Sequence, residues 1–314
     1  MKPAISRRLF LIGGGAAVTA SSALKAFAYT SPLTDRPFFS MNLPPEYDAQ
    51  DIAFQSFAID SKTQTVFAQF STRTKPQQTI IAEYELIPWG MAFPRSIQSP
   101  SSQIGHQGLT IERGAYGGFL WAAAPGHGRS AVRFKYQSQQ NPTVQTFKLF
   151  SEDHVPSAIT VAVSYDGNKL VAAGKKNSAD VTVNAIRLFD LNDVLKSQNR
   201  DASSSAIAEW EVPLPSSLPI QGLACMGSRV FISCGDSRAK TDKIVFCYST
   251  EGDPINSTQI NMGRAGLAAR SSYEPEGLGI FKIPGASEPS LMIGLTTGRA
   301  ETGRTRKIYV MPDF

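Results

Sequence analysis

One five-residue pattern recurs along this chain at nearly constant spacing: a polar head, a small residue, a large apolar residue, any residue, and an apolar residue. It stands as Gln55-Ser56-Phe57-Ala58-Ile59, Gln107-Gly108-Leu109-Thr110-Ile111, Gln221-Gly222-Leu223-Ala224-Cys225 and Glu276-Gly277-Leu278-Gly279-Ile280, with a weaker copy at Ile159-Thr160-Val161-Ala162-Val163. The heads are 52, 52, 62 and 55 residues apart. A unit of that length cannot bury its own apolar faces, so it must stack against copies of itself.

Each copy leads, after a turn, into a second apolar run: Val66 to Phe70, Phe119 to Ala124, Leu170 to Ala173, Val230 to Ser233 and Leu291 to Leu295. The turns Tyr116-Gly117-Gly118, Asp166-Gly167-Asn168 and Met226-Gly227-Ser228 carry hairpin chemistry. A third run follows in every copy, and a fourth, more polar one in the first four. Four antiparallel strands per repeat, the inner ones continuously apolar, predict an all-β, five-bladed β-propeller. The fifth copy stops at Phe314 after three strands, so the segment around Thr34 to Met41 is expected to supply its outer strand from the opposite end of the chain. A two-domain β-sandwich is the alternative, and it leaves five copies in matching order unexplained. Only Asp190 to Lys196 reads as a helical turn.

Residues 1–28 stand apart from the repeats. They hold Lys2, Arg7 and Arg8, an apolar run from Leu9 to Val18, and a small-residue close at Ala26-Phe27-Ala28. That is the layout of a cleavable signal peptide, too short and too rich in glycine to span a bilayer. Ser6-Arg7-Arg8-Leu9-Phe10-Leu11 resembles the twin-arginine export motif, with an ordinary Sec signal as the alternative. The domain organisation expected is a signal at 1–28 and a single propeller over 29–314. The twin-arginine export machinery would then be a partner, and the mature protein periplasmic or secreted, with no insertion into the membrane after cleavage.

Charge narrows the function. The whole chain has 31 bases and 26 acids, and residues 1–28 contribute four of the bases and no acid, which leaves 27 against 26. A globally basic nucleic-acid binder is not supported by a net charge of +1. The loops expected between second and third strands (71–78, 125–130, 174–183, 235–242 and 298–306) nevertheless hold ten bases against four acids. They include Arg129, Arg238, Arg299 and Arg304, and in a propeller they share one face with the entries to the inner strands. A face of that kind attracts polyanions, because arginine forks onto phosphate and carboxylate. The repeat heads place Gln55, Gln107, Gln221 and Glu276 at the channel mouth on that face, with His106 and Glu274 just outside. These heads either bond backbone groups where the strands converge or contact a ligand.

Several chemistries find little support. His106, His127 and His154 lack metal-ligand spacing, so neither a metal nor a cofactor is expected. Cys225, Cys234 and Cys247 fall on three successive strands of one repeat and read as core residues, with a cross-strand disulfide as the alternative. No G-x-S-x-G elbow occurs. Glycosidase chemistry would need carboxylates facing each other across the channel, and Glu274 and Glu276 come from one repeat. Their mutual repulsion keeps a hydrolase or lyase open, with either as acid or base. A protein-interaction platform is a third reading.

Three of these segments also carry a family resemblance: Q-S-F-A-I-D at 55–60, G-H-Q-G-L at 105–109 and E-P-E-G-L at 274–278. Over roughly 38–314 the chain resembles the five-bladed propeller of the teichoic-acid biosynthesis protein C group, which includes helveticin J-type bacteriocins and receptor-binding proteins of some phages. The resemblance implies recognition of an envelope glycopolymer at the channel face, with Gln55, His106, Gln107, Glu274 and Glu276 as the matching positions. The third copy departs from the pattern at Ile159. A twin-arginine signal is unexpected in phage or bacteriocin members and points to a host-encoded periplasmic relative. The reading that follows is an exported propeller that binds an anionic glycan or a phosphate-containing envelope polymer.

Overall fold

A computed structural model describes residues 36–48, 52–113, 118–126, 128–178, 181–214, 218–265, 267–268, 271–299 and 303–312. The signal-peptide reading of 1–28 lies outside them, as do His127, Asp180 and Glu301. Five antiparallel sheets follow one another along the chain in the repeat order expected. The first blade is β2 (Ala53–Asp60), β3 (Thr65–Ser71), β4 (Thr79–Glu85) and β6 (Pro94–Ile97), and the second is β7 (Thr110–Glu112), β8 (Phe119–Ala123), β9 (Ser130–Phe134) and β10 (Val144–Lys148). The third is β11 (His154–Val163), β12 (Lys169–Ser178), β13 (Val181–Asp190) and β14 (Ala208–Val212). The fourth is β15 (Ile220–Met226), β16 (Arg229–Cys234), β17 (Ile244–Ser249) and β18 (Pro254–Gln259).

The fifth blade draws on both ends of the chain. Its strands β19 (Ser272–Phe281), β20 (Ser290–Arg299) and β21 (Gly303–Val310) are joined by β1 (Phe39–Met41), antiparallel to β21 with Phe39 opposite Ile308. This is the closure expected from the missing fourth run. A further strand, β5 (Gly90–Ala92), pairs in parallel with β1, so the fifth sheet has five strands where four were expected. It comes from the connection between β4 and β6. Trp89 fixes that excursion by donating its N–H to the Phe38 carbonyl and packing edge-on against the Phe38 ring at 5.3 Å. The helical turn at α2 (Leu191–Lys196) is capped by Asp190, whose carboxylate accepts from the Asn192 and Asp193 amides. The short helix α1 (Pro45–Asp48) was not foreseen. Among the described residues no helix is long and apolar enough to cross a membrane.

The continuous apolar runs follow from burial on both sides. Each blade packs against its neighbours through a separate core, and β12 shows the pattern: Leu170 and Ala172 join the cluster shared with the second blade, Val171 and Ala173 the one shared with the fourth. The seam between the fifth and first blades is the most aromatic, with Phe38, Phe39, Phe54, Phe70, Tyr84 and Phe281 all buried. Each such ring contributes about 1.5–3 kcal/mol by leaving water. Cys225 and Cys234 sit in the core between blades three and four and Cys247 in the next one, all three free. Burial pushes the Cys225 thiol up to about 12 and Cys247 up to about 11, so both behave as small apolar residues.

The small second residue of each repeat has its explanation at the axis. The Ser56 hydroxyl accepts from the Leu109 amide at 3.0 Å. A methyl group on Gly108 would lie 2.5 Å from the Val161 nitrogen, one on Gly222 would lie 2.7 Å from the Gly277 Cα, and one on Gly277 would lie 2.6 Å from the Ser56 hydroxyl. Neighbouring inner strands therefore meet at this position, and only a small residue lets them. Gly277 adds a backbone requirement, with φ at +90°. Gly277→Ala should lower unfolding stability by about 2–5 kcal/mol, the combined effect of a left-handed alanine and overpacking. Gly227→Ala, also at positive φ but with open space around its Cβ position, should cost only about 1 kcal/mol. Thermal melts of the two variants test this, and equal losses would contradict the axial packing.

Candidate functional site at the channel mouth

In four of the five blades the repeat head lies at an irregularity of the inner strand, and in the second Gln107 precedes the strand. The pairing register shifts between Phe54 and Ser56, between Val155 and Thr160, between Ile220 and Gly222, and between Pro275 and Leu278. A bulge re-aims the extra side chain out of the pleat, so Gln55, Gln221 and Glu276 leave the sheet where the strands converge. Most heads there are engaged with neighbours. The Gln55 amide donates to the Phe54 carbonyl at 2.9 Å, and the Gln107 carbonyl oxygen lies 3.5 Å from the Thr160 hydroxyl. Gln221 donates both to the Gly235 carbonyl at 3.0 Å and to a Glu274 carboxylate oxygen at 3.2 Å. His106 and Gln107 are half-buried beside them. In the third blade the head is Ile159, buried and apolar, so the head position of that blade offers no polar side chain.

Four of the predicted residues, Gln221, Glu274, Glu276 and Arg304, come together at the seam of blades four and five, with Lys243 beside them. Glu276 is 3% exposed. Burial is the main cause that holds its carboxyl well above the ordinary value, and the Glu274 charge adds to it, while Thr296 and the Arg304 charge offset part of the rise. Burial also raises Glu274, and the Arg304 and Lys243 charges and the Gln221 amide pull it back. Lys243 was not singled out by sequence because it opens an apolar run. It is fully buried and donates to Asp236 at 3.1 Å and to the Arg238 and Thr241 carbonyls at 2.8 Å each. The loop 235–243 is thereby knotted around Asp236, which pairs with both Lys243 and Arg238, and leans on the fifth blade, where the Tyr273 amide donates to the Ser237 carbonyl.

The arginines and lysines of this face divide into two groups. Arg129 is committed, with Nη1 on Glu152 at 2.6 Å and Nε on the His154 carbonyl at 2.9 Å. Lys176 bonds Glu209 at 3.0 Å and Glu211 at 3.3 Å. Arg238 places its Nε on Asp236 but keeps a largely exposed side chain. Lys175, Lys176, Arg304 and Arg306 belong to strands, not to loops as expected. The segment count of ten bases against four acids thus overstates the free charge, because Glu152, Glu209 and Glu211 reach in from other segments. Among the described residues, no group of three or more His, Cys, Asp or Glu is placed to hold a metal.

This architecture has a match among known proteins. The family model for the phage five-bladed β-propeller receptor-binding platform domain covers residues 53–310. The chain belongs to that family. As a receptor-binding platform domain it is similar in structure to the tail fibre of Staphylococcus aureus phage P68, at 18% identity and a TM-score of 0.63, over 92% of this chain and 55% of that one. The platform domain thus spans about half the length of that fibre. Similarity to a GH43_12 protein from a capybara gut metagenome is weaker (13% identity, TM-score 0.48, 88% of this chain and 53% of that one). So is similarity to MPT-4, a mannose phosphorylase from Leishmania mexicana (10% identity, TM-score 0.44, 94% and 95%). The tail-fibre likeness shows the fold. No curated protein matches the platform domain in sequence.

The environment of Glu276 has a measurable consequence. A carboxyl whose pKa rises on folding supports the fold while protonated, and that support is lost as pH climbs from the unfolded value of 4.5 through the folded one. Glu276→Gln keeps the shape and stays neutral. It should melt with the native protein near pH 4 and above it by about 2 °C or more at pH 7–8. Identical melting at both pH values would contradict the burial of this carboxyl.

Proposed function

We propose that the protein is an exported platform that binds an anionic glycan or phosphate-containing envelope polymer at its channel face. The observation that carries this reading is the coincidence on one face of two things. The polar heads Gln55, Gln107 and Gln221, with Glu274 beside them, ring the mouth, and basic side chains without an ion pair among the described residues, Lys75, Lys175, Lys240 and Arg299, surround it. Membership of a receptor-binding platform family supports it as well, and the polymer is the finer part of the proposal. Cations on an exposed rim attract a polyanion at long range and are screened by salt. Arg238, with its guanidinium partly exposed, and Arg304 would add forked contacts, and His106 and Gln107 hydrogen bonds.

A second reading, hydrolysis of such a polymer, has one observation in its favour: a protonated Glu276 beside Glu274 is the arrangement of an acid and a carboxylate. Glu276 is enclosed, however, and glutamines stand at three of the other heads, so binding is the reading adopted. The mature protein should retain a polyanion such as long-chain polyphosphate on a filter at low salt. That affinity should fall by about tenfold between about 50 and 300 mM salt. Salt-independent retention, or shortened products that vanish in Glu276→Gln, would replace this reading with the second.

Export is proposed on residues 1–28 alone. Replacing both Arg7 and Arg8 by lysine should trap the precursor in the cytoplasm if the twin-arginine machinery carries it. Unchanged appearance in the periplasm or medium would point to a Sec signal.

A further inference from the structure

Seven large apolar side chains are exposed among the described residues, and four of them fall within one short stretch: Ile87 at 43%, Trp89 at 41%, Met91 at 60% and Phe93 at 62%. They surround β5, the outermost strand of the fifth sheet, whose outer edge has no strand partner among the described residues. Strand alternation explains the exposure. Ala92 packs with Phe39 and Met41 in the seam core, so Met91 projects on the opposite side, with Phe93 exposed just beyond it. Ile87 flanks the strand on the first side, where its Cγ2 would lie 2.6 Å from a methyl group on Gly90. The stretch is fixed from within. The Asn42 amide donates to the Ala92 carbonyl at 3.0 Å, and the Arg36 guanidinium lies 5.6 Å from the centre of the Trp89 ring.

Two features separate this edge from an incidental patch. A free sheet edge ordinarily carries charge that discourages pairing, yet residues 86–94 hold no Asp, Glu, Lys or Arg. Pro88 and Pro94 stand at either end of the uncharged strand. Neither can donate to a ladder, so an added strand can pair only with the residues between them.

Area and symmetry point to the occupant. At about 200 Å² for a fully exposed side chain of this size, the four present about 400 Å². A standard interface takes about 800 Å² from each partner, somewhat over half of it non-polar. The patch therefore supplies most of the apolar area that a stable dimer needs, and in a two-fold dimer both copies bring the same patch. Antiparallel pairing centred on Met91 sets Trp89 of each copy opposite Phe93 of the other, and aromatic pairs across strands are favourable.

We propose that this edge is a homodimer interface, in which β5 of two copies pairs antiparallel about a two-fold axis at Met91 and joins the two fifth sheets. Each copy uses its edge once, so association stops at two.

Analytical ultracentrifugation of the mature protein between about 1 and 200 µM tests this, and the native protein should dimerise with a dissociation constant in the micromolar range or below. Met91→Lys puts a charge on the edge and should weaken dimerisation by about tenfold or more. Ile255→Lys, at an exposed apolar side chain on the outer strand of the fourth blade, should leave it unchanged. Unaltered thermal melting of both variants separates the effect from misfolding. The register has its own readout, because only a residue on the axis faces itself. Its Cα would lie about 4.5–5.5 Å from its copy, within reach of a disulfide. The native cysteines are all buried, so Met91→Cys should cross-link under mild oxidation about tenfold faster than Phe93→Cys. A native protein that stays monomeric throughout, or a dimer that survives Met91→Lys, would overturn the interface. Equal cross-linking of the two cysteine variants would overturn the two-fold pairing. Dimerisation only after removal of residues 29–35 would assign the edge to the start of the same chain and overturn the proposal too.

Discussion

Five inner strands can close on one axis only where each offers a small side chain to the next, and the remaining features of the molecule follow from that contact. At Ser56, Gly108, Gly222 and Gly277 the neighbouring backbones approach so closely that no larger side chain fits. Strands that converge so tightly cannot continue as regular ladders past the contact, and the register shifts at or just before it in the first, third, fourth and fifth blades. The shift turns the preceding side chain toward the mouth. A polar residue suits that place because it can answer carbonyls that the broken ladder leaves open, as Gln221 does for Gly235. The polar head and the small second residue are therefore one device, and the mouth is polar because the axis is tight.

The same closure makes the ring depend on its last seam. Each blade buries its faces only against its neighbours, so an unclosed ring would expose two apolar sheet faces at once. The strand Phe39–Met41 prevents this from the far end of the chain, and the excursion Gly90–Ala92 then covers the strand's outer edge. Exposed edges invite pairing with other chains, and the added strand moves that edge outward to a segment of three residues. The aromatic weight of the seam, with Phe38 packed between Trp89 and Phe281, fits the seam that sequence-distant segments must find and hold.

How much of this was legible in the sequence depended on the range of the interaction involved. Blade number, strand order and the closing segment were readable because each rests on local periodicity: the five heads, the hairpin turns, and a missing fourth run. The paired strand Gly90–Ala92 was not, since its partner Phe39–Met41 lies about fifty residues away and a three-residue parallel edge carries no pattern of its own. At the site, the repeat pattern marked the heads as a set, but their engagement was invisible. That Gln221 reaches Glu274, or that Lys243 lies buried beneath its loop, depends on register between blades. Lys243 left one usable signal, a lysine opening an apolar run with Asp236 seven residues before it.

Charge shows the same limit most clearly. Summed over segments, the second-to-third strand loops hold a surplus of bases on one face, and that surplus is spread around the ring only while each segment is treated alone. In the folded molecule the acids of β14 and of the loop before β11, Glu209, Glu211 and Glu152, come from outside those segments and neutralise the bases between blades two and three. Lys175, on the other face of blade three, has no ion pair among the described residues. An attractive potential is set by the charge that remains after local pairing, and it is strongest where cations line a recess and not a flat surface. Lys175 and Lys176 are adjacent in sequence and identical in chemistry, yet they stand on opposite faces of one strand, Lys176 paired with Glu209 and Glu211 and Lys175 with no ion pair among the described residues.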